Sequence, residues 1–189
     1  MPKVLIVTGD GAEALEVMYA YQRLLEDGYE VDIAAPAVKK LAFVVHDFDP
    51  DFDTYTEKPG YVWPADVAFA DVNPDNYVAL VIPGGRAPEY LRNDPDCQRL
   101  VRHFYLNDAP VAQLCHGPLI PAAAGLLEGR RTAAYPEIAP DIRLAGGEFV
   151  DDGAVVDGNV VSARAWNDNP TWMHEFMHIL HAKAPQPVH

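Results

Sequence analysis

The chain has 189 residues, a length at which a single domain buries about 70% of the surface that its unfolded form exposes. Hydrophobic residues make up 49% and charged residues 22%, which is globular usage and excludes a disordered chain. With 14 Lys and Arg against 28 Asp and Glu, the net charge of -14 repels phosphate backbones and anionic lipid surfaces, so neither nucleic acid nor membrane is expected as a partner.

The opening MPKVLIVTGD holds a strand-length apolar run, KVLIVT, too short for a signal peptide. No later stretch approaches the ~20 apolar residues of a membrane span, and the expected location is cytoplasmic. GDGAEA at 9 to 14 fits a dinucleotide fingerprint by its letters, but Asp10, Glu13 and Glu16 would crowd the place of a pyrophosphate. ALEVMYAYQRLLEDG then has helical spacing, and YEVDIAA reads as the next strand. From about 41 to 69 the pattern breaks into a hairpin-like excursion, LAFVVHDFDPDFDTYTEKPGYVWPADVAF. Its DFDPDFD stretch alternates carboxylates like a calcium loop, yet Phe52 stands at the sixth position and Lys58 at the twelfth. His46 precedes that acidic loop and lies where the excursion would roof a pocket.

YVALVIPGG, PVAQLC and NVVSAR continue the strands, and CQRLVRHFYLND and LIPAAAGLLEG the helices. This alternation predicts one α/β domain over 1–189, with a mostly parallel central sheet, helices on both faces and ligands beyond the carboxyl ends of the strands. HEFMH at 174 to 178 matches a zinc-peptidase signature, but Trp172, Phe176, Ile179 and Leu180 share one helix face while His174, His178 and His181 point the other way. No third ligand follows, so no resident metal is expected and only adventitious capture by His174 and His178 is open. Cys97 and Cys115 could form at most one bridge and read as thiols, Cys97 as a packed one.

PVAQLC ends at Cys115, beside His116, and Gly117-Pro118 opens the next helix, so the strand-to-helix turn lifts the sulfur to a helix amino end. Unpaired amides and the helix dipole there are expected to favour thiolate, lowering the thiol pKa from ~8.5 to ~6. VAQLCHGPLI, together with VIPGGRAPEYL at 81 to 91, resembles the ThiJ/PfpI superfamily, related to class I glutamine amidotransferase domains. The likeness covers nearly the whole chain and implies a flavodoxin-like sandwich. The long excursion makes it look more like plant glutathione-independent glyoxalases than archaeal PfpI-type peptidases.

The resemblance implies that Cys115 is the nucleophile, with His116 its imidazole and Glu16 the helix-borne acid, its pKa raised by burial and like charge. It assigns Glu89 to a contact with the histidine of a neighbouring subunit. Gly84 and Gly85 would let backbone amides, with that of His116, meet the reacting oxygen. Tyr135 stands where some members have a pocket histidine, and Gln113 where small residues are common; His46 and Tyr135 are candidate substrate contacts. A cofactor-free enzyme converting small α-oxoaldehydes such as methylglyoxal is implied, without metal, glutathione or nicotinamide, in a homodimer or hexamer. A PfpI-like peptidase or amidase and a redox-sensing stress protein or chaperone are the alternatives. Glu13 is expected to be the solvated glutamate of the first helical turn.

Overall fold

Residues 1–185 are described by a computed structural model; the last four residues of the domain expected over 1–189 lie outside them. Four apolar runs form the centre of the molecule. β1 (Lys3–Val7), β6 (Ala79–Ile82), β7 (Val111–Leu114) and β11 (Val160–Ala163) are buried almost throughout, as strands covered on both faces must be. With β2 (Glu30–Ala35), β5 (Val67–Ala68) and β10 (Val155–Asp157) they make a seven-stranded sheet in the order β10-β11-β7-β6-β1-β2-β5. All its pairings are parallel except that of β10 with β11, an antiparallel edge that the sequence pattern did not predict. The three central strands β7, β6 and β1 point their carboxyl ends to one place, which is where Cys115, Gly84-Gly85 and the loop before the first helix meet.

Helices cover the sheet. α1 (Ala14–Glu26) packs against α6 (Asn169–Lys183), while α2 (Ala87–Leu91), α3 (Pro95–Leu106) and α4 (Leu119–Ala123) pack together. α6 buries Trp172, Met173, Phe176, Met177 and Leu180 against the sheet, each large apolar side chain contributing about 1.5–3 kcal/mol of transfer free energy. His174 and His178 are exposed and Ile179 is half-buried, so the outward histidine face stands as the spacing predicts. The helix expected over LIPAAAGLLEG is shorter than its composition suggests: α4 stops at Ala123 because Gly125 takes a left-handed φ of 71°.

The excursion is a true hairpin. β3 (Lys40–Asp47) pairs antiparallel with β4 (Thr56–Pro64), with a register shift between Ala42 and Val44. It is anchored on the loop between β1 and α1, through Gly11 N–H to Ala42 O at 2.9 Å and Val44 N–H to Ala12 O at 2.8 Å. That anchoring carries the hairpin's turn end, with Phe48 and Tyr55, over the elbow that follows β7. The remaining short strands, β8 (Arg131–Thr132) and β9 (Glu148–Phe149), pair beside α5 (Ala139–Leu144). No helix among the described residues is long and apolar enough to cross a membrane.

Candidate active site

Cys115 directly follows β7 with φ at 57°, a left-handed conformation that costs a residue with a side chain about 1–2 kcal/mol. The surrounding backbone fixes it there. Cys115 N–H donates to Ala163 O at 3.2 Å, Tyr135 N–H donates to Cys115 O at 3.0 Å, and Gly117 N–H donates to Leu114 O at 2.8 Å. Gly117 is required by a close approach, since a Cβ there would lie 2.4 Å from Ile82 O. The turn is thus an elbow in the sense the motif predicts.

Four groups surround the sulfur. His116 Nδ1 is 3.3 Å from Sγ, the Glu16 carboxyl group hydrogen-bonds it, and the backbone N–H groups of Gly85 and His116 are directed at it. Gly84 has a different task from the one expected of it: its N–H donates to Glu16 Oε2 at 2.7 Å. A Cβ on Gly84 would sit 2.4 Å from Cys115 Cβ and 2.8 Å from its Sγ, so glycine is what lets acid and sulfur share this corner. The amides left to meet a reacting oxygen are therefore those of Gly85 and His116.

The expected lowering of the thiol pKa is overturned. Burial pushes the Cys115 thiol well above its ordinary value, and the charge of Glu16 acts in the same direction. The physical reasons are local: the residue is only 5% exposed, the helix behind it has five residues, and the ionisable side chain that acts on it is an acid rather than a base. Glu16 is fully buried, and its carboxyl group is pushed up to about 8, first by burial and then by the charge of Glu13. The like charge on Glu16 is therefore a second glutamate rather than the thiolate. With its pKa at about 8 the group is largely protonated at neutral pH, and its Oε1 has no hydrogen-bond partner among the described residues.

Glu13 is not the solvated residue its position suggests. It is 2% exposed and caps α1 by accepting from Glu16 N–H at 2.8 Å, and burial raises its pKa as well. His116 is 6% exposed and pushed down to about 4, by burial first and by the charge of His46 next. Its imidazole is neutral at pH 7 and able to accept a proton.

The hairpin supplies the roof. His46 is 3% exposed, its Nε2 lies 2.9 Å from Glu57 Oε1, and Glu57 also accepts from Arg86 Nε at 2.7 Å. The Tyr135 ring stacks on His116 at 5.1 Å, and the Tyr55 ring stands edge-on to both. Beyond Tyr135, the rings of Phe48 and Trp166 line up with it, and a cavity of about 330 Å³ opens between Phe48, Tyr135 and Arg164. Tyr55, Glu57, Arg86, Phe48 and Trp166 escaped the sequence reading. Glu89 is exposed on α2, where its charge acts on Tyr55 and Arg86. Gln113 is buried in β7 and accepts from Tyr105 O–H at 2.7 Å, a structural contact of the sheet.

Among the described residues one group could hold a metal ion, His174, Glu175 and His178 on the outer face of α6, with ligand atoms within 4.8 Å of one another. It lies apart from the sulfur, on the exposed side of a helix whose other face packs against the sheet. Cys97 is buried in α3, where burial raises its thiol pKa.

Residues 2–179 match the family model described as the DJ-1/PfpI family. A deglycase of Pyrococcus abyssi is 42% identical over 178 residues, spanning 94% of this chain and 99% of its own. The protein DJ-1 homolog D of Arabidopsis thaliana is 38% identical over 185 residues, spanning 94% of this chain and 47% of its own. Among solved structures, a ThiJ/PfpI domain protein from Brachyspira murdochii superposes with a TM-score of 0.82 over 96% of each chain at 19% identity, a likeness of fold.

Proposed function

Because the chain belongs to the DJ-1/PfpI family, we propose that it is a cysteine-dependent enzyme of that family that acts on small α-oxoaldehydes, converting methylglyoxal to lactate without a cofactor. The observation that carries this reading is the set of groups around one sulfur: a buried acid on one side, a neutral imidazole at 3.3 Å on the other, and two amides facing it. The deglycase name of the Pyrococcus relative supports aldehyde chemistry at such a cysteine. Removal of the same aldehyde from amine or thiol adducts would use the same groups.

A soft sulfur nucleophile attacks an aldehyde carbon readily. A thiol with a raised pKa needs its proton removed as it attacks, and neutral His116 is placed to take it through Nδ1. The C–S bond forms as the carbonyl pair moves to oxygen, where the amides of Gly85 and His116 receive it; the thiol proton then completes a hemithioacetal. Next the hydrogen on the first carbon leaves as a proton and one is returned to the second carbon, with Glu16 and His116 as carriers. The product is a 2-hydroxyacyl thioester. Water adds to it, the C–S bond breaks, and lactate and free thiol are released, so the sum is methylglyoxal plus water to lactate.

The test is direct. Purified protein is mixed with methylglyoxal in the absence of added thiol, and lactate is resolved by enantiomer. One enantiomer is expected, with turnover abolished in Cys115→Ala; undiminished turnover in that variant would rule the scheme out.

A further inference from the structure

The reaction set out above leaves one oxygen without a partner. The Gly85 and His116 amides meet the oxygen of the attacked carbon, and Glu16 lies beside the sulfur. When the proton leaves the first carbon, negative charge builds on the oxygen of the second, and a fixed donor at that oxygen lowers the barrier. The roof of the site holds two tyrosines that could serve. Tyr135 lies flat on His116, its ring face rather than its edge turned to the imidazole.

Tyr55 is placed otherwise. Its ring stands edge-on to His116 at 5.9 Å and to Tyr135 at 5.4 Å, with its remaining side against His46 at 4.4 Å. This triangle of rings closes the site from above. The ring lies 5.9 Å from the His116 imidazole, whose Nδ1 is 3.3 Å from Sγ, so Tyr55 borders the sulfur side of the pocket, and after burial Cys115 is the group that acts most on its hydroxyl. The hairpin holds the ring there through its neighbours: His46 is fixed by Glu57, Glu57 by Arg86, and the His46 carbonyl by Trp166 Nε1–H at 2.8 Å.

We infer that Tyr55 is a catalytic residue, its hydroxyl donating a hydrogen bond to the ketone oxygen of the α-oxoaldehyde bound at Cys115. This rests on the α-oxoaldehyde reading above. The hydroxyl keeps its proton throughout, its pKa being pushed up to about 12 by burial. As the C–H pair of the first carbon moves into the carbon–carbon bond, the carbonyl pair of the second moves onto the oxygen that Tyr55 holds. The proton itself travels through Glu16 and His116 as before.

Tyr55→Phe keeps the ring and removes only the donor. On methylglyoxal the variant is expected to lose about a hundredfold in kcat, with Cys115 alkylation by iodoacetamide within twofold of the unmodified protein. Methylglyoxal deuterated at the aldehyde carbon adds a readout that a structural role would not move: the isotope effect on kcat rises in the variant, because carbon–hydrogen cleavage becomes the slow step. Unchanged kcat and isotope effect in Tyr55→Phe overturn the assignment, as does a loss confined to Tyr135→Phe. An unmodified protein that alkylates normally yet turns over no α-oxoaldehyde overturns the reaction itself, an outcome distinct from failure of Tyr55 alone.

Discussion

Replacing Glu16 by glutamine keeps an oxygen to accept the Gly84 N–H and removes the buried ionisable group. Glu16 has its folded-state pKa raised from 4.5 to about 8. A carboxyl group raised in this way contributes stability that is fully present below pH 4.5 and is lost as pH rises toward 8, because the folded state must either hold the proton or bury the charge. The loss runs at about 1.4 kcal/mol per pH unit between those values, so about 3 kcal/mol is gone by pH 7. Glutamine has no such loss. Thermal unfolding followed by circular dichroism at pH 7 is expected to show Glu16→Gln melting about 6–12 °C above the unmodified protein, while lactate formation falls to background. The stability difference should shrink toward pH 5. Glu13, also raised, remains in both proteins and cancels in the comparison. A Glu16→Gln protein that is less stable at pH 7, or a difference independent of pH, would refute the reasoning that Glu16 is a buried acid kept at a cost for chemistry.

Other outcomes follow from the same geometry. Cys115→Gly should melt about 2–4 °C above Cys115→Ala in a thermal scan, since only glycine takes the 57° φ without strain of about 1 kcal/mol. Gly84→Ala drives a Cβ into Cys115 and Glu16, so the variant should lose about 1–3 kcal/mol of stability in urea unfolding and react slowly with iodoacetamide. Glu57→Ala removes an exposed ion pair with Arg86 and leaves the buried His46 Nε2 without its partner, so it should cost about 1–3 kcal/mol in the same assay, and because it frees His46 and the Tyr55 ring, kcat on methylglyoxal should drop about tenfold. With His116 pushed down to about 4, its imidazole stays an acceptor in acid, and kcat/KM measured against pH should keep its acid limb near pH 4 rather than near 6.5.

The parts of the site that were legible in the sequence are those written in contiguous letters. Strand, cysteine and helix follow one another in PVAQLCHGPLI, so the sulfur can be placed from the letters, while Glu16 is assigned by the family resemblance. The mostly parallel sheet is legible for a related reason: fully buried parallel strands must be continuous apolar runs, although such runs do not give their order. What failed was environment. The sign of the Cys115 shift depends on burial and on a carboxyl group from α1, the helix that follows a strand two places away in the sheet, and a motif does not display depth. Glu13 reads in the sequence as the solvated first-turn acid, yet the hairpin covers one side of that loop and Gly84 the other, so both glutamates are buried. The roof was illegible because its members are single residues brought together over long separations: Tyr55 and Glu57 from the hairpin, Arg86 from the turn just before α2, Trp166 from beyond β11. Nothing in DFDTYTEK distinguishes Tyr55 from the surface tyrosine at 61 until the hairpin is folded over the elbow.

The most direct measurement is intact and peptide mass spectrometry of the protein after brief exposure to methylglyoxal at pH 7, comparing the unmodified chain, Glu16→Gln and Cys115→Ala. Glu16→Gln should accumulate the mass of one methylglyoxal on Cys115, because attack by sulfur proceeds while the proton transfer that follows is blocked, and Cys115→Ala should carry none at that position. Lactate formed by the unmodified protein with no methylglyoxal ever trapped on Cys115 in either chain that keeps it, or formed equally well by Cys115→Ala, would contradict the account.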